Sequence, residues 1–249
     1  MTEQPPPHSA RLANYLLGGA VWGPAEAHMG DQVIREFPGV VTALREGRAF
    51  LGRAVSFLVK EAGMRQFIDL GAGLPAPGGV DEVARRHAPG CRVVQADHDP
   101  LVPRHAAEGT ALCVEADFRD IETVLGHAAA ALDPREPVAL VLVCALGHVP
   151  DPDEAAALVQ GYMSLLAPGS YLVTADGVTS AETLAAQQAY NGSGAHPYLV
   201  RTPEQIAATA AGLDVLPPGV GPVSHWRPDA VLPDPVDLYG LVARKPVGA

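Results

Sequence analysis

Three aspartates, each at or near the end of a short apolar run, are the groups in this sequence best spaced to hold a ligand. Asp69 sits in Gln66-Phe67-Ile68-Asp69-Leu70 and is followed at once by Gly71-Ala72-Gly73; Asp97 ends CRVVQAD and Asp117 ends ALCVEAD. Gly71 and Gly73 let the backbone turn tightly and approach a ligand with no Cβ in the way. With Ala76 they also satisfy the dinucleotide pattern G-x-G-x-x-G/A. Two features favour a different nucleotide. Pro75, Pro77 and Gly78-Gly79 delay the next helix, so its N-terminus is not offered directly to a pyrophosphate. A carboxylate two residues before the first glycine repels phosphate and suits a cation. S-adenosylmethionine has a sulfonium, an α-amino group and no phosphate. Asp97, with His98 beside it, is expected to accept both ribose hydroxyls. Asp117 is expected to take the adenine amino group, with Phe118 flanking the ring. Asp97, His98 and Asp99 are consecutive on a strand tip and point to different sides, so no metal site is expected.

These groups need a sheet to carry them. Apolar runs at 66–71, 91–97, 111–117, 137–146 and 170–176 alternate with segments of helical pattern at 79–88, 100–108 and 121–131, and with a helix opened by Asp151-Pro152-Asp153-Glu154. PVALVLVCAL is apolar on both faces, as a central parallel strand is. Thr202-Pro203-Glu204-Gln205 opens a late helix, and two final strands are expected to be antiparallel. The result is an α/β fold with a mostly parallel sheet and ligands at the carboxyl ends of its strands. Ahead of it, residues 1–8 are expected to be a disordered tail. Residues 9–63 are expected to form three helices packed on the core as a cap, leaving 64–249 as the core.

Composition sets outer limits. The chain has 249 residues, 48% of them hydrophobic, and a net charge of −11. That supports one sizeable core. It argues against coating nucleic acid or anionic membrane, which needs clustered Lys and Arg. The N-terminus lacks a signal-peptide pattern, so the cytoplasm is expected. Cys91, Cys113 and Cys144 lack metal-like spacing and are expected to be buried thiols.

The motifs SARLANYLLGG, GRAFLGRAV, RQFIDLGAGLP, ADHDP, ADFRD, PVALVLVCALGHVPD, LAPGSYLV, RTPEQIA, HWRP and YGLVARK resemble those of an actinobacterial S-adenosylmethionine-dependent methyltransferase family, formerly a domain of unknown function. The resemblance spans about 9–246. It implies a class I methyltransferase (Rossmann-like) fold with a seven-stranded sheet and an N-terminal helical extension over the cofactor. It names no substrate. This chain departs from the family pattern in having Asn14 for an acid, Ala20 for a lysine and Gly47 for an asparagine.

Methyl transfer from a sulfonium is an in-line displacement, so much of its catalysis can come from alignment. A base is needed only if the nucleophile starts protonated. His148, after the fourth strand, is the first candidate for base or substrate contact. Asp176, at the end of the fifth strand, is the second. Tyr15 is a candidate for closing over the cofactor from the first helix, and Cys144 for lining the cofactor from the tip of the fourth strand. Trp22, His28, Tyr190, His196 and Tyr198 are candidates for the acceptor pocket, and Arg11 and Arg48 for carboxylate partners. The expected activity is O-, N- or C-methylation of a small molecule in bacterial secondary metabolism. A methyltransferase fold that uses the cofactor structurally during a cyclisation or rearrangement, and an NAD-linked oxidoreductase, are the alternatives.

Overall fold

The computed structural model describes residues 5–106, 111–229 and 231–247. Its sheet runs β1 (Gln66–Leu70), β2 (Arg92–Asp97), β3 (Leu112–Glu115), β4 (Ala139–Val143), β5 (Tyr171–Gly177), β6 (Asp214–Val215), β7 (Gly221–Pro222) and β8 (Leu238–Arg244) along the chain. In space the order is β3-β2-β1-β4-β5-β8-β6, with β7 also on β8. The first five strands are parallel to their neighbours, and β8 is antiparallel to β5. Seven strands were expected. The extra one arises because the segment before β8 touches it twice in two-residue pieces, β6 and β7, separated by proline- and glycine-rich chain. Proline cannot donate to a ladder, so these pieces stay short.

Helices cover both faces, which is why β1 and β5 are buried throughout. Successive residues point to opposite sides. Ile68, Leu140 and Leu172 face a layer made by α6 (Ile121–Ala128) and α7 (Pro152–Leu165). Phe67, Val141 and Val173 face α3 (Pro38–Lys60) and α4 (Val80–His87). Along α3, Phe50, Leu51, Ala54, Val55 and Leu58 recur at helical spacing and are buried. Arg53 on the same helix donates to the carbonyls of Trp226 and Val223, at 2.9 and 2.7 Å.

The N-terminal helices are α1 (Ser9–Leu16), α2 (Pro24–Glu36) and α3. Leu12 and Leu16 of α1 pack on Met29 and Val33 of α2 and on Val41. Of the expected tail, residues 1–4 lie outside the described residues, whereas His8 caps α1. Its backbone N–H donates to Glu26 at 2.9 Å. Arg11 reaches Asp99 at 3.2 Å and Glu26 at 3.4 Å, and both carboxylates are buried. Asn14 accepts the N–H of Val21 at 2.9 Å and shapes the turn after α1. At Gly47 a Cβ would come within 2.7 Å of Leu238, so a larger residue there has no room while Leu238 stays where it is.

The remaining helices are α5 (Leu101–Ala106), α8 (Ala181–Gly192) and α9 (Pro203–Ala208). α8 lies in a stretch with no clear helical pattern in the sequence. Only Thr183 on it is buried, and Leu184 is exposed, so no apolar stripe marks it. Among the described residues, no helix is long and apolar enough to cross a membrane.

Candidate functional site

The strand order reverses at β1, between β2 and β4, which opens a crevice at their carboxyl ends. The turn after β1 enters it. Gly71 and Gly73 have φ of +63° and +67°, in the region that favours glycine. The Gly71 N–H donates to the Ala96 carbonyl at 2.8 Å. A Cβ at Gly71 would sit 2.9 Å from that of Ala145, so the turns after β1 and β4 meet there. Asp97 accepts the N–H of Gly73 at 2.9 Å and that of Asp99 at 3.0 Å. One strand-tip carboxylate thus ties down the turn of the neighbouring strand. The prolines after Gly73 hold back α4, which begins only at Val80 and does not reach the crevice.

A cavity of about 140 Å³ fills this crevice. Asp69, Gly71, Gly73, Asp97, His98, Phe118, Cys144 and His148 all line it, together with Arg48 from α3 and Ser9, Ala13 and Asn14 from α1. Asp69 is buried. Burial pushes its pKa up to about 6, against a hydrogen bond from Gln95 and the attraction of Arg48. Arg11 is taken up by Asp99 and Glu26, whereas Arg48 makes no hydrogen bond or ion pair among the described residues. A buried carboxylate and an uncommitted guanidinium in one cavity complement an ammonium and a carboxylate on one ligand.

A second cavity, of about 190 Å³, adjoins the first through Ser9, Ala13, Leu44, Cys144 and His148, which line both. Its walls are mostly apolar: Leu12 and Leu16 of α1, Val33 of α2, Val40 and Ala43 of α3, and Leu238. Thr183, Gln187 and Tyr190 project into it from α8, and Tyr198 and Val200 from the loop that follows.

The shared wall holds the two most reactive side-chain types. His148 lies in a 3₁₀ turn after β4, and its Nδ1 bonds the Pro197 carbonyl at 2.9 Å. That carbonyl only accepts, so Nδ1 carries the proton and Nε2 keeps a lone pair. Burial lowers its pKa to about 4, partly opposed by the Pro197 bond, so the ring is neutral at pH 7. Cys144 has φ of +58°, a strained position for a residue with a side chain. Burial raises its thiol to about 12, with Asp176 adding to the rise, so the thiol stays protonated. Cys144 and Cys113 are only partly buried, unlike Cys91, so the expected burial of all three thiols is corrected: the tip of β4 and the edge of the sheet leave them open on one side.

Several sequence candidates lie elsewhere. Asp117 does not line either cavity; Arg119 binds it with two nitrogens, the shorter contact 2.6 Å, and holds its pKa down. Asp176 is buried behind the shared wall, accepting from the Tyr198 hydroxyl at 2.7 Å and the Gly147 N–H at 3.2 Å. Burial raises its pKa to about 6. Tyr15 faces Asp31 and stacks edge-on against Trp22, outside both cavities. Trp22 and His28 are exposed. Tyr190 lines the second cavity; its hydroxyl is buried with no partner in bonding geometry, Ser9 being its polar neighbour. His196 lines neither cavity, but its ring lies 5.4 Å from that of His148 and 6.3 Å from that of His98. His8 joins this run, its Nε2 3.2 Å from that of His98. Among the described residues no group of three or more His, Cys, Asp or Glu has metal-holding geometry.

Gln187, Thr183, Leu44 and Asp237 also line the second cavity and are not among the candidates expected from sequence. The cap-and-return pair Ser180 and Thr183 was the available signal for α8 and hence for the first two.

The family model described as S-adenosyl methyltransferase matches residues 2–246. In three dimensions the chain is similar to a DUF574 family protein from Streptomyces avermitilis, with 34% identity, a TM-score of 0.91, and 97% of this chain and 98% of that one covered. It is also similar to a provisionally assigned methyltransferase from Thermobifida fusca, with 32% identity, a TM-score of 0.89, and coverage of 97% and 96%. At the level of fold alone it resembles the N-methyltransferase NodS from Bradyrhizobium japonicum, solved with S-adenosyl-L-homocysteine, at 14% identity and a TM-score of 0.51 over 82% and 88% of the two chains. No curated protein matches the sequence.

Proposed function

The chain belongs to the S-adenosyl methyltransferase family, with S-adenosylmethionine as cofactor, and on that premise we propose that it methylates a small, largely apolar molecule in the bacterial cytoplasm, as part of secondary metabolism. The observation that carries this reading is the shared wall: a neutral His148 stands between a charged cavity at the strand tips and a mostly apolar chamber.

The residues present fit the cofactor. Asp69 is a buried carboxylate with no cation bonded to it, suited to the α-ammonium, and Arg48 is the matching cation for the carboxylate. Keeping Asp69 ionised at neutral pH costs about 3 kcal/mol, from its rise of roughly two pKa units. A bound cation offsets that cost. Asp97 retains lone pairs for a diol, and Phe118 offers an apolar face to a purine. When bound, S-adenosylmethionine supplies a methyl group on a positively charged sulfur, ready for displacement.

The chain's own groups do the rest. α1 lines both cavities and borders the shared wall. His148 Nε2 takes the proton of an acceptor hydroxyl or amine as its lone pair is used. With a pKa of about 4 the imidazole is a weak base, so alignment carries most of the rate. The Cys144 thiol, held protonated, does not compete as a nucleophile.

The test is transfer of labelled methyl from S-adenosylmethionine to candidate acceptors. Label in product, together with S-adenosylhomocysteine, supports the reading. Conversion of an acceptor that runs equally well with S-adenosylhomocysteine overturns it in favour of a non-methylating reaction.

A further inference from the structure

The chamber beside the cofactor cavity is chemically lopsided. Among the described residues that line it, Asp237 is the one acidic side chain: His148 is neutral, and the Cys144 thiol and the Tyr190 and Tyr198 hydroxyls are protonated. No Lys or Arg faces it. Asp237 lies immediately before β8, and its backbone carbonyl accepts the Val178 N–H at 3.0 Å, which fixes its place at the tip of β5. Its carboxylate has no hydrogen-bond or ion-pair partner among the described residues. Asp237 lines the chamber alone, not the cofactor cavity.

Two further polar atoms are uncommitted. Val200 donates its N–H to Gln187 Oε1 at 2.7 Å, which settles the amide's orientation and leaves its NH2 free to donate. The buried Tyr190 hydroxyl lacks a partner in bonding geometry, and such groups are normally satisfied by something. The rest of the wall is aliphatic. At about 190 Å³ the chamber is larger than the roughly 150 Å³ cavity that accepts benzene in an engineered core.

From this we infer that the acceptor is a single-ring apolar amine with a hydroxyl substituent: its ammonium meets Asp237, its ring fills the aliphatic chamber between Gln187 and Tyr190, whose free donors steady its oxygen, and that oxygen reaches the shared wall, where it gives its proton to His148 Nε2 as it takes the methyl. An anionic acceptor would face an unshielded carboxylate with no cation to receive it, in a protein whose net charge is −11. The inference rests on the methyltransferase reading only in calling the occupant the acceptor. The charge preference belongs to the chamber itself.

The test compares three probes of one shape, tyramine, 4-ethylphenol and 3-(4-hydroxyphenyl)propanoate, by calorimetry on protein loaded with S-adenosylhomocysteine. Tyramine is expected to bind tightest, about tenfold above 4-ethylphenol, the size of one charge-assisted contact, with the propanoate weakest. Asp237→Asn should bring tyramine level with 4-ethylphenol and leave the affinity for S-adenosylhomocysteine unchanged. In the unaltered protein, raising the salt concentration should narrow the same gap, a readout that does not depend on the variant folding. Equal affinities, a preference for the propanoate, a tyramine preference that survives Asp237→Asn, or no binding of any probe overturns the inference. If S-adenosylhomocysteine itself does not bind, the methyltransferase reading fails, while the order of the three probes on the unloaded protein still decides the chamber's preference.

Discussion

The strand-tip cavity, proposed for the cofactor, and the apolar chamber, proposed for the acceptor, share a wall but are built differently. The floor of the cavity is made of strand tips, with α1 and α3 across from them: Asp69, Gly71, Gly73 and Asp97 lie within two short segments at the end of the sheet. The chamber is made of side chains from α1, α2, α3 and α8, the loop after α8 and the start of β8. One site rests on backbone conformation and buried charge. The other rests on shape and on one uncommitted carboxylate. Substitutions on α2 and α8, which line the chamber alone, can reshape it without touching the turn, so its occupant can change while the strand-tip cavity is kept.

The strongest way to break this contrast is Gly71→Val. The φ of +63° and the 2.9 Å approach to Ala145 leave no room for a β-branched side chain. Affinity for S-adenosylmethionine should fall by more than about 100-fold, with probe binding in the chamber changed little. Equal loss at both would mean that the two are one structural unit. His148→Gln acts at the boundary. It should lower kcat about 100-fold, the low end for a proton-transfer group, and leave the cofactor Kd unaltered. In the unaltered enzyme at saturating cofactor, activity should persist below pH 6 and fall only near pH 4, where the imidazole protonates. A limb near 6.5 would show an exposed, unperturbed histidine.

Acidity separates the two regions further. With ionised Asp69 as the proposed partner of the cofactor's ammonium, affinity should drop as pH falls through about 6, by roughly tenfold per unit below it. Asp69→Asn should weaken binding and flatten this dependence; an unchanged slope would remove Asp69 from the cofactor site. Stability responds in the opposite sense. Asp69 and Asp176 hold protons more tightly in the fold than at their ordinary 3.8, so their contribution is full below about 3.8 and is lost as pH rises to about 6. His148 contributes fully above 6.5, and that contribution is lost as pH falls towards about 4. The smallest effect is expected from Tyr190→Phe. It should weaken acceptor affinity by about 1 kcal/mol, one neutral hydrogen bond, with cofactor affinity constant. A change in cofactor affinity instead would assign Tyr190 to the other side of the wall.

Much of the cofactor side was legible before any coordinates. The glycines, the delaying prolines and the acids at the tips of β1 and β2 are local features, and the sheet carries them to one edge wherever helices alternate with strands. Asp117 shows where that logic stops. It ends the third run as expected, yet Arg119, two residues on, captures its carboxylate. Arg11 and Arg48 look alike in sequence, but the first is held by Asp99 and Glu26 while the second is left free. The helix α8 was invisible because its inner face borders a cavity, and a cavity demands no apolar stripe.

By itself, then, the sequence determined the alternation of the five parallel strands with their helices, the family and the cofactor. Those depend on periodicity and on residues a few positions apart, which the covalent chain holds together. Tertiary structure alone decided which charges stay uncommitted, that Asp176 supports the wall from behind, and that Gln187, Tyr190 and Asp237 meet around one chamber. Those outcomes depend on which side chain wins each competing partner and on what burial does to its charge. Only the packing of distant segments settles either.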